Sequence, residues 1–274
     1  MADAEGSPPA LPQLKGQASP NSYAAKTADG SAIDLSKAVF PIGRYDESNR
    51  FHLLGTGFFI TTNGLFVTAK HVLLDPFDEH GREKYPIGLI QFYGEGKYLH
   101  RRILRCALHP IADVAVGVAA PMTSKSSGAA LTNPVVTLTL VPPDINARIV
   151  TFAYPKHANL IEEDLQKINF GPTYYDGNLI EYFANGRDKV MLPGPCYRTS
   201  IVIHGGASGG PVFSPSGDVF GINSTGYGDE DISFVTRLYE ITELTIDGVM
   251  IGDGKERSVE VTELIQGGHI AVAP

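Results

Sequence analysis

The sequence contains no tryptophan, only two cysteines, and no apolar run long enough to cross a membrane as a helix. Cys106 and Cys196 are too few for a disulfide scaffold, so we expect two free and mostly buried thiols, although the sequence alone leaves a single bridge between them open. A spanning helix needs roughly 18 uninterrupted apolar residues, and the amino-terminal segment lacks the layout of a signal peptide. These absences predict a soluble protein that is not in the membrane, and a cytoplasmic one unless a longer precursor is processed.

Positive charge is in the minority, with 22 Lys and Arg residues against 30 Asp and Glu residues and a formal net charge of −8. Because affinity for nucleic acid rests largely on neutralising phosphates, we expect no nucleic-acid partner. The two cysteines show no metal-ligand spacing. The acidic segment at residues 228–233 lacks the pattern of a known calcium loop, which favours a solvated loop. We predict neither a metal site nor a cofactor.

Glycine and proline are plentiful, at 30 and 19 of 274 residues, and short apolar runs are broken by turn signals from Ala38 onwards. Residues 57–61 and 65–68 predict the two strands of a hairpin, with Asn63-Gly64 as the turn between them. Helical signals are sparse, with AKHVLL and VTELIQ as the short candidates. The pattern predicts an all-β chain.

The composition also divides the chain into segments. Residues 1–32 are rich in Pro, Ala, Ser and Gly without a hydrophobic period, which predicts a flexible tail. Residues 121–135 have the composition of a linker. We therefore expect one β domain at residues 33–120, a second at residues 136–245, and a carboxy-terminal extension at residues 246–274 whose role the sequence leaves open.

A glycine-rich segment surrounds one serine, in the order Gly206-Ala207-Ser208-Gly209-Gly210. Glycines there permit the φ values of a tight turn and a close approach of the backbone to a ligand. A serine hydroxyl is a weak nucleophile until a base takes its proton, and the oxyanion that then forms needs fixed N–H donors. The backbone N–H groups of Gly206 and Ser208 are the candidates for those donors. A plain glycine-rich hairpin loop is the competing interpretation of the motif alone.

The same letters fit the G-x-S-x-G nucleophile elbow of esterases on the α/β-hydrolase fold. That elbow passes directly into a helix, whereas the residues after Ser208 predict a hairpin. The hydrolase fold also needs an acid and then a histidine after the serine, and here only His269 follows. The elbow interpretation is therefore disfavoured.

A base and a carboxylate stand earlier in the chain. His71 follows directly on the apolar strand predicted at residues 65–68, where a ring can be held rigidly and still face a cleft. Taken alone, such a histidine is more often a satisfied core or surface residue. Asp113 opens an apolar strand, where a turn or cap is its plain interpretation. A buried carboxylate needs a partner, however, and an imidazole N–H is a fitting one.

Three segments carry a family resemblance. Residues 68–72 (TAKHV), 112–116 (ADVAV) and 205–213 (GGASGGPVF), in that order, resemble the His, Asp and Ser segments of the trypsin-like, chymotrypsin-fold serine peptidases, above all the bacterial and HtrA-type branch. The order His, Asp, Ser is that of chymotrypsin-type enzymes. The resemblance runs from about residue 38 to about residue 240 and implies two six-stranded antiparallel β-barrels with the active site in the cleft between them.

The resemblance also implies roles for the residues. His71 would act as general base and then general acid, Asp113 would orient it, and Ser208 would be the nucleophile that forms an acyl-enzyme. The N–H groups of Gly206 and Ser208 would form the oxyanion hole. The chain would then be a serine endopeptidase with protein or peptide substrates. The alternative is a catalytically silent scaffold of the same fold that binds peptides or a partner protein.

Substrate-binding residues are implied in the same way. Ser224 would hydrogen-bond near the catalytic carboxylate, and Ser224, Thr225 and Gly226 would pair with the substrate backbone as an added strand. His204 would stand at the entrance or wall of the primary pocket, with Asn223 facing it. No acidic residue occupies the expected floor, so a preference for Arg or Lys is not supported. An uncharged side chain, small or apolar, is expected, and an acidic one held by His204 and Asn223 stays open.

The chain departs from the digestive enzymes at Ala207, where those enzymes carry an aspartate that captures a newly freed N-terminus. No Arg-Ile-Val-Gly-Gly cleavage site precedes the first β domain. We therefore expect an active site that forms without N-terminal clipping. The roughly 30 residues after the second β domain are too few for a PDZ-like domain, so we expect none to follow. The oligomeric state stays open.

Overall fold

The computed structural model describes residues 9–18, 23, 25, 27, 30–74, 84–94, 97–124, 127–162, 165–227, 232–251 and 255–274. Strands dominate this part of the chain, and its helices are short. No helix within it has the length and apolar character that a membrane crossing requires.

The first barrel is closed, with the strand order β1-β2-β3-β6-β5-β4 and antiparallel neighbours throughout. Its strands are β1 (Val39–Tyr45), β2 (Phe51–Phe59), β3 (Leu65–Thr68), β4 (Ile87–Gly94), β5 (Lys97–Leu108) and β6 (Ala115–Ala119). The predicted hairpin is present, since β2 pairs with β3 and Gly64 takes a φ of +110° in the turn between them. Every residue of β3 is buried, which explains its unbroken apolar sequence.

The second barrel is also closed, with the order β10-β11-β12-β9-β8-β7. Its strands are β7 (Arg148–Glu162), β8 (Leu165–Phe183), β9 (Cys196–Thr199), β10 (Pro211–Phe213), β11 (Val219–Tyr227) and β12 (Ile232–Arg237). The expected fold of two six-stranded antiparallel barrels is confirmed.

The hairpin of β7 and β8 is far longer than the other strands of its barrel and reaches across to the first one. Near its tip, the Gln166 side chain accepts a hydrogen bond from Phe51 N at 2.7 Å and donates one to Phe51 O at 2.9 Å. Phe170 lies edge-on to Phe51, with 5.8 Å between ring centroids. This contact ties the second barrel to the first beyond the cleft.

The carboxy-terminal extension packs on the first barrel. After the 3-10 helix Leu238–Glu243 come β13 (Thr245–Met250) and β14 (Glu256–Glu260), which pair with each other, and then α3 (Val261–Gln266). Apolar side chains from β13 and α3 share the core of the first barrel. Two further helices are α1 (Leu35–Ala38) and α2 (Lys70–Leu74). Both α2 and α3 coincide with the predicted helical segments.

Part of the amino-terminal segment is docked on the second barrel at Gln17 and Ala18, within the residues whose composition predicts a flexible tail. Ala18 N donates to Tyr174 O at 2.9 Å, and Gln17 forms an antiparallel bridge with Tyr175 on β8. These contacts are between main-chain atoms. They fall on a part of β8 that is not paired with β9, because β9 pairs with β8 only from Leu179 onwards. Composition carries no signal for such pairing.

Both cysteines are free, as expected. Cys196 on β9 is buried, and burial raises its pKa to about 11. Cys106 on β5 is exposed, so the expectation of burial is wrong for that thiol. The two residues lie on strands of different barrels, which accounts for the absence of a bridge.

Candidate active site

The three candidate catalytic residues lie in one cleft between the barrels. His71, Asp113 and Ser208 all line a cavity of about 460 Å³, together with the segment at residues 224–226. The first two residues come from the first barrel and the serine comes from the second.

His71 and Asp113 meet because β3 and β6 are paired neighbours, with Thr68 opposite Ala115. His71 is the second residue of α2, just after β3, and Asp113 stands just before β6. The ring Nδ1 of His71 donates to Asp113 Oδ2 at 2.9 Å, and the backbone N of His71 donates to Asp113 Oδ1 at 3.0 Å. Because Nδ1 is the donor, Nε2 of the neutral ring is left as a base facing the cleft.

Asp113 is held in its charged form. Burial by itself raises the pKa of this carboxyl group, but hydrogen bonds and charge from His71 and a hydrogen bond from Ser224 outweigh it, so the pKa is lowered from 3.8. The stabilisation that follows is complete above pH 3.8 and is lost as the pH falls through the lowered value. Asp113 is therefore an anion throughout the neutral and mildly acidic range.

The loop before Ser208 has the geometry of a type II turn. Ala207 N donates to His204 O at 3.0 Å, and Gly206 takes a φ of +92° at the third position of the turn. Among the described residues, no acceptor is bonded to the N–H groups of Gly206 and Ser208. Two neighbouring backbone donors are thus unpaired beside the serine.

The hydroxyl group of Ser208 donates to Ser224 O at 3.0 Å, and within the described residues no hydrogen bond joins it to His71. The acid–base pair is assembled, but the hydroxyl group must rotate to reach the imidazole. Catalytic hydrogen bonds of free enzymes often form only when substrate binds.

The segment at residues 224–226 presents a strand edge to the cleft. Ser224 Oγ donates to Asp113 Oδ2 in a short hydrogen bond. The described pairing of β10 with β11 stops at Ile222, while Thr225 and Gly226 pair only with β12 on the other side. The remaining edge lies along the cavity, where an extended peptide could add to it.

The two residues expected at the primary pocket differ in their positions. His204 lines the cavity, and its Nε2 donates to Lys15 O at 3.0 Å, so the docked amino-terminal segment holds this ring. Asn223 does not line the cavity, which corrects that expectation. Its fully buried amide donates to Thr151 Oγ1 at 2.7 Å and to Ala207 O at 3.3 Å. Its side chain points into the second barrel, where it joins β7 to the serine loop.

A family model for the trypsin-like peptidase domain matches residues 55–222 of this chain. The chain belongs to that family. The matched part contains the histidine, the carboxylate and the serine of the cleft. The family is one of peptidases, which are hydrolases that act on proteins or peptides.

Solved structures show the same fold. The crystal structure of Deg5 is similar with a TM-score of 0.53 and 18% identity, over 74% of this chain and 84% of that chain. The active form of the Rv3671c protease from M. tuberculosis is similar with a TM-score of 0.52 and 17% identity, over 75% of this chain and 78% of that chain. A sequence search of curated proteins returned no significant match.

The cleft of this peptidase also has an apolar rim that sequence reasoning missed. Leu74, Ile111, Val190 and Met191 line the cavity, and all four are exposed, Val190 to 84%. Asp188 Oδ1 accepts the N–H groups of Val190 at 2.9 Å and Met191 at 2.6 Å, which fixes the turn that displays them. A group of exposed apolar side chains beside a cleft is typical of a surface that binds a ligand or another protein. Of the acidic segment predicted as a loop at residues 228–233, residues 228–231 lie outside the described residues, and the last two residues belong to β12.

The serine loop of the peptidase rests directly on the first barrel through Thr56 of β2. Thr56 N donates to Ser208 O at 2.8 Å, and Thr56 Oγ1 donates to Gly206 O at 2.7 Å. Tyr154 N of β7 donates in turn to Thr56 Oγ1 at 3.0 Å. The geometry of the serine loop therefore depends on both barrels.

We expect Gly209→Ala to destabilise the peptidase by about 3 kcal/mol, through overpacking and backbone strain. Gly209 has a φ of +83°, and a Cβ there would lie 2.2 Å from Thr68 Oγ1 and 2.3 Å from Thr56 O. Gly205→Ala is the matched control, because a Cβ at Gly205 has no neighbour within 4 Å. Urea denaturation measures both variants, and equal midpoints would contradict the close contact of the serine loop with β2 and β3.

Proposed function

We propose that this chain is a serine endopeptidase that hydrolyses peptide bonds through an acyl-enzyme intermediate. Ser208 is the nucleophile, His71 the general base and then the general acid, and Asp113 the carboxylate that orients the ring. The observation that carries the proposal is the hydrogen bond from His71 Nδ1 to Asp113, at 2.9 Å, in the same cleft as Ser208. Within the described residues, the N–H groups of Ser208 and Gly206 have no acceptor there.

In this mechanism the Ser208 hydroxyl group leaves Ser224 O and turns to His71 Nε2, which takes its proton as Oγ attacks the scissile carbonyl carbon. The negative charge that develops on the carbonyl oxygen is stabilised by the N–H groups of Gly206 and Ser208. His71 then gives its proton to the leaving amine. A water molecule, deprotonated by the same ring, releases the acyl group.

The substrate lies extended in the cleft. Its backbone pairs with the edge at residues 224–226. Among the described residues that line the cavity, Asp113 is the only carboxylate, and it is bonded to His71. A basic side chain of the substrate would therefore find no free carboxylate among these lining residues. The exposed apolar side chains of Val190 and Met191 favour a substrate with small or apolar side chains next to the cleavage site.

Labelling by a fluorophosphonate probe tests the proposal. A protein that carries an uncleaved N-terminal tag is expected to react, because the active site is proposed to form without clipping. Labelling should be lost in Ser208→Ala and unchanged in the surface variant Ser216→Ala, whose hydroxyl group contacts only the hairpin turn. If the wild-type protein stays unlabelled, the silent scaffold is the better interpretation. If it labels only after removal of the tail, activation without clipping is wrong.

A further inference from the structure

His109 is a buried histidine close in the chain to Asp113. The proposed reaction does not use it. It stands between β5 and β6, four residues before Asp113, and only 3% of its surface is exposed. The sequence predicts an ordinary loop residue at this position. In the structure its ring instead occupies the inside of the turn at residues 109–113.

The ring of His109 is the acceptor for that turn. Its Nδ1 accepts the backbone N–H of Ala112 at 2.7 Å and that of Ile111 at 3.2 Å. Nδ1 therefore carries no proton, and in the neutral ring the proton is on Nε2, which donates to Glu243 Oε2 at 3.2 Å. The turn thus has a nitrogen lone pair at its centre.

A metal ion does not explain this arrangement, although His109, Glu240 and Glu243 bring ligand atoms close together. A metal on Nε2 would displace the proton to Nδ1, where two N–H groups already point. Glu240 is moreover paired with Arg237 at 2.6 Å. The three side chains fit a hydrogen-bonded link to the 3-10 helix better than an ion site.

The same turn is held from the cleft side by the residue next to the proposed base. Lys70 Nζ donates to His109 O at 2.7 Å and to Pro110 O at 3.2 Å. His109 N donates to Val114 O at 3.0 Å and closes the turn. The backbone on both sides of Asp113 is therefore fixed by hydrogen bonds.

We infer that His109 is a positioning residue for catalysis, whose Nδ1 sets the backbone at Ile111 and Ala112 and so aims the carboxylate of Asp113 at His71. The inference rests on the proposed function. The two carboxylate oxygen atoms of Asp113 accept hydrogen bonds from His71 N, His71 Nδ1 and Ser224 Oγ. Only one orientation of the carboxylate allows all three bonds. A misplacement of about 1 Å in such a group costs on the order of 10²-fold in rate.

Two variants separate this role from simple filling of space. In His109→Asn the side-chain oxygen can accept the N–H groups two and three residues ahead, as asparagine does in Asx turns. In His109→Leu the volume remains but the acceptor is lost. Both variants lose the hydrogen bond to Glu243. The difference between their rates therefore reports the effect of losing the acceptor for the N–H groups of Ile111 and Ala112. We expect kcat for a peptide substrate to fall about 10²-fold in the leucine variant with little change in KM, and to stay within about threefold in the asparagine variant.

A double-mutant cycle with Asp113→Asn identifies the group through which His109 acts. If His109 acts through the carboxylate, His109→Leu should cost little further rate once Asp113 is replaced. Equal losses in the leucine and asparagine variants, or fully additive losses in the cycle, would overturn the inference. Should His109→Leu fail to fold, a folded His109→Asn with about 10²-fold lower kcat would overturn it as well. A wild-type protein without turnover or labelling would instead defeat the proposed function.

Discussion

Replacement of Ser208 by alanine is expected to lower kcat for a peptide substrate by about 10⁶-fold. In the proposed mechanism the substitution removes the oxygen atom that forms the acyl-enzyme and the hydroxyl proton that His71 takes. The two backbone donors and the strand edge at residues 224–226 persist, so KM should change little and a small residual rate should remain from oxyanion stabilisation. Initial rates with a quenched fluorescent peptide measure the effect.

Ser216→Ala controls for the loss of a serine hydroxyl group in the same barrel, since Ser216 is exposed and bonds to Asp218 in a hairpin turn. This variant should match the wild type within experimental error. If Ser208→Ala kept a rate within about tenfold of the wild type, the nucleophile would be another group. The acyl-enzyme would then have no basis in this cleft.

Replacement of Asp113 by asparagine is expected to lower kcat by about 10⁴-fold. The carboxylate accepts two hydrogen bonds from His71 and one from Ser224. An amide has only one accepting oxygen atom, so its NH₂ group faces the ring and favours the tautomer with the proton on Nε2. That tautomer cannot take the proton of Ser208, because the accepting nitrogen is already protonated.

Asp176→Asn is the matched control for Asp113→Asn, because Asp176 pairs with Arg148 on the surface of the second barrel at 2.8 Å. Its loss should leave kcat unchanged and cost at most about 1 kcal/mol of stability. Steady-state rates and thermal unfolding of both variants provide the comparison. Similar rates for the two variants would mean that Asp113 does not orient the base.

The structure joins the two barrels into one site through main-chain contacts. Thr56 of the first barrel holds the carbonyl groups of Ser208 and Gly206, and Gly209 leaves room for this contact. His71 and Asp113 come from the first barrel and Ser208 from the second, so relative movement of the barrels would separate Ser208 from His71. The predicted effect of Gly209→Ala follows from the same contact.

Much of the fold and the site could be predicted because their signals are local. Asn63-Gly64 predicts a turn by its φ preference, and Gly64 adopts a φ of +110°. His71 beyond a strand end and Asp113 before another are recognisable from neighbours in the chain. Their meeting follows from the pairing of β3 with β6, which the structure shows. The family resemblance implied only that the two residues share a cleft.

The sequence by itself determined the alternation of short strands and turns and the order of the three reactive side chains, because these depend on residue type and near neighbours. Only the tertiary structure decided that Asn223 turns into the barrel, that His109 lies buried under the Asp113 turn, and that Gln17 and Ala18 pair with β8. Each of these rests on hydrogen bonds between segments distant in the chain, often made by backbone atoms common to all residues. Such bonds depend on where the barrels place the backbone, and residue type carries little information about that.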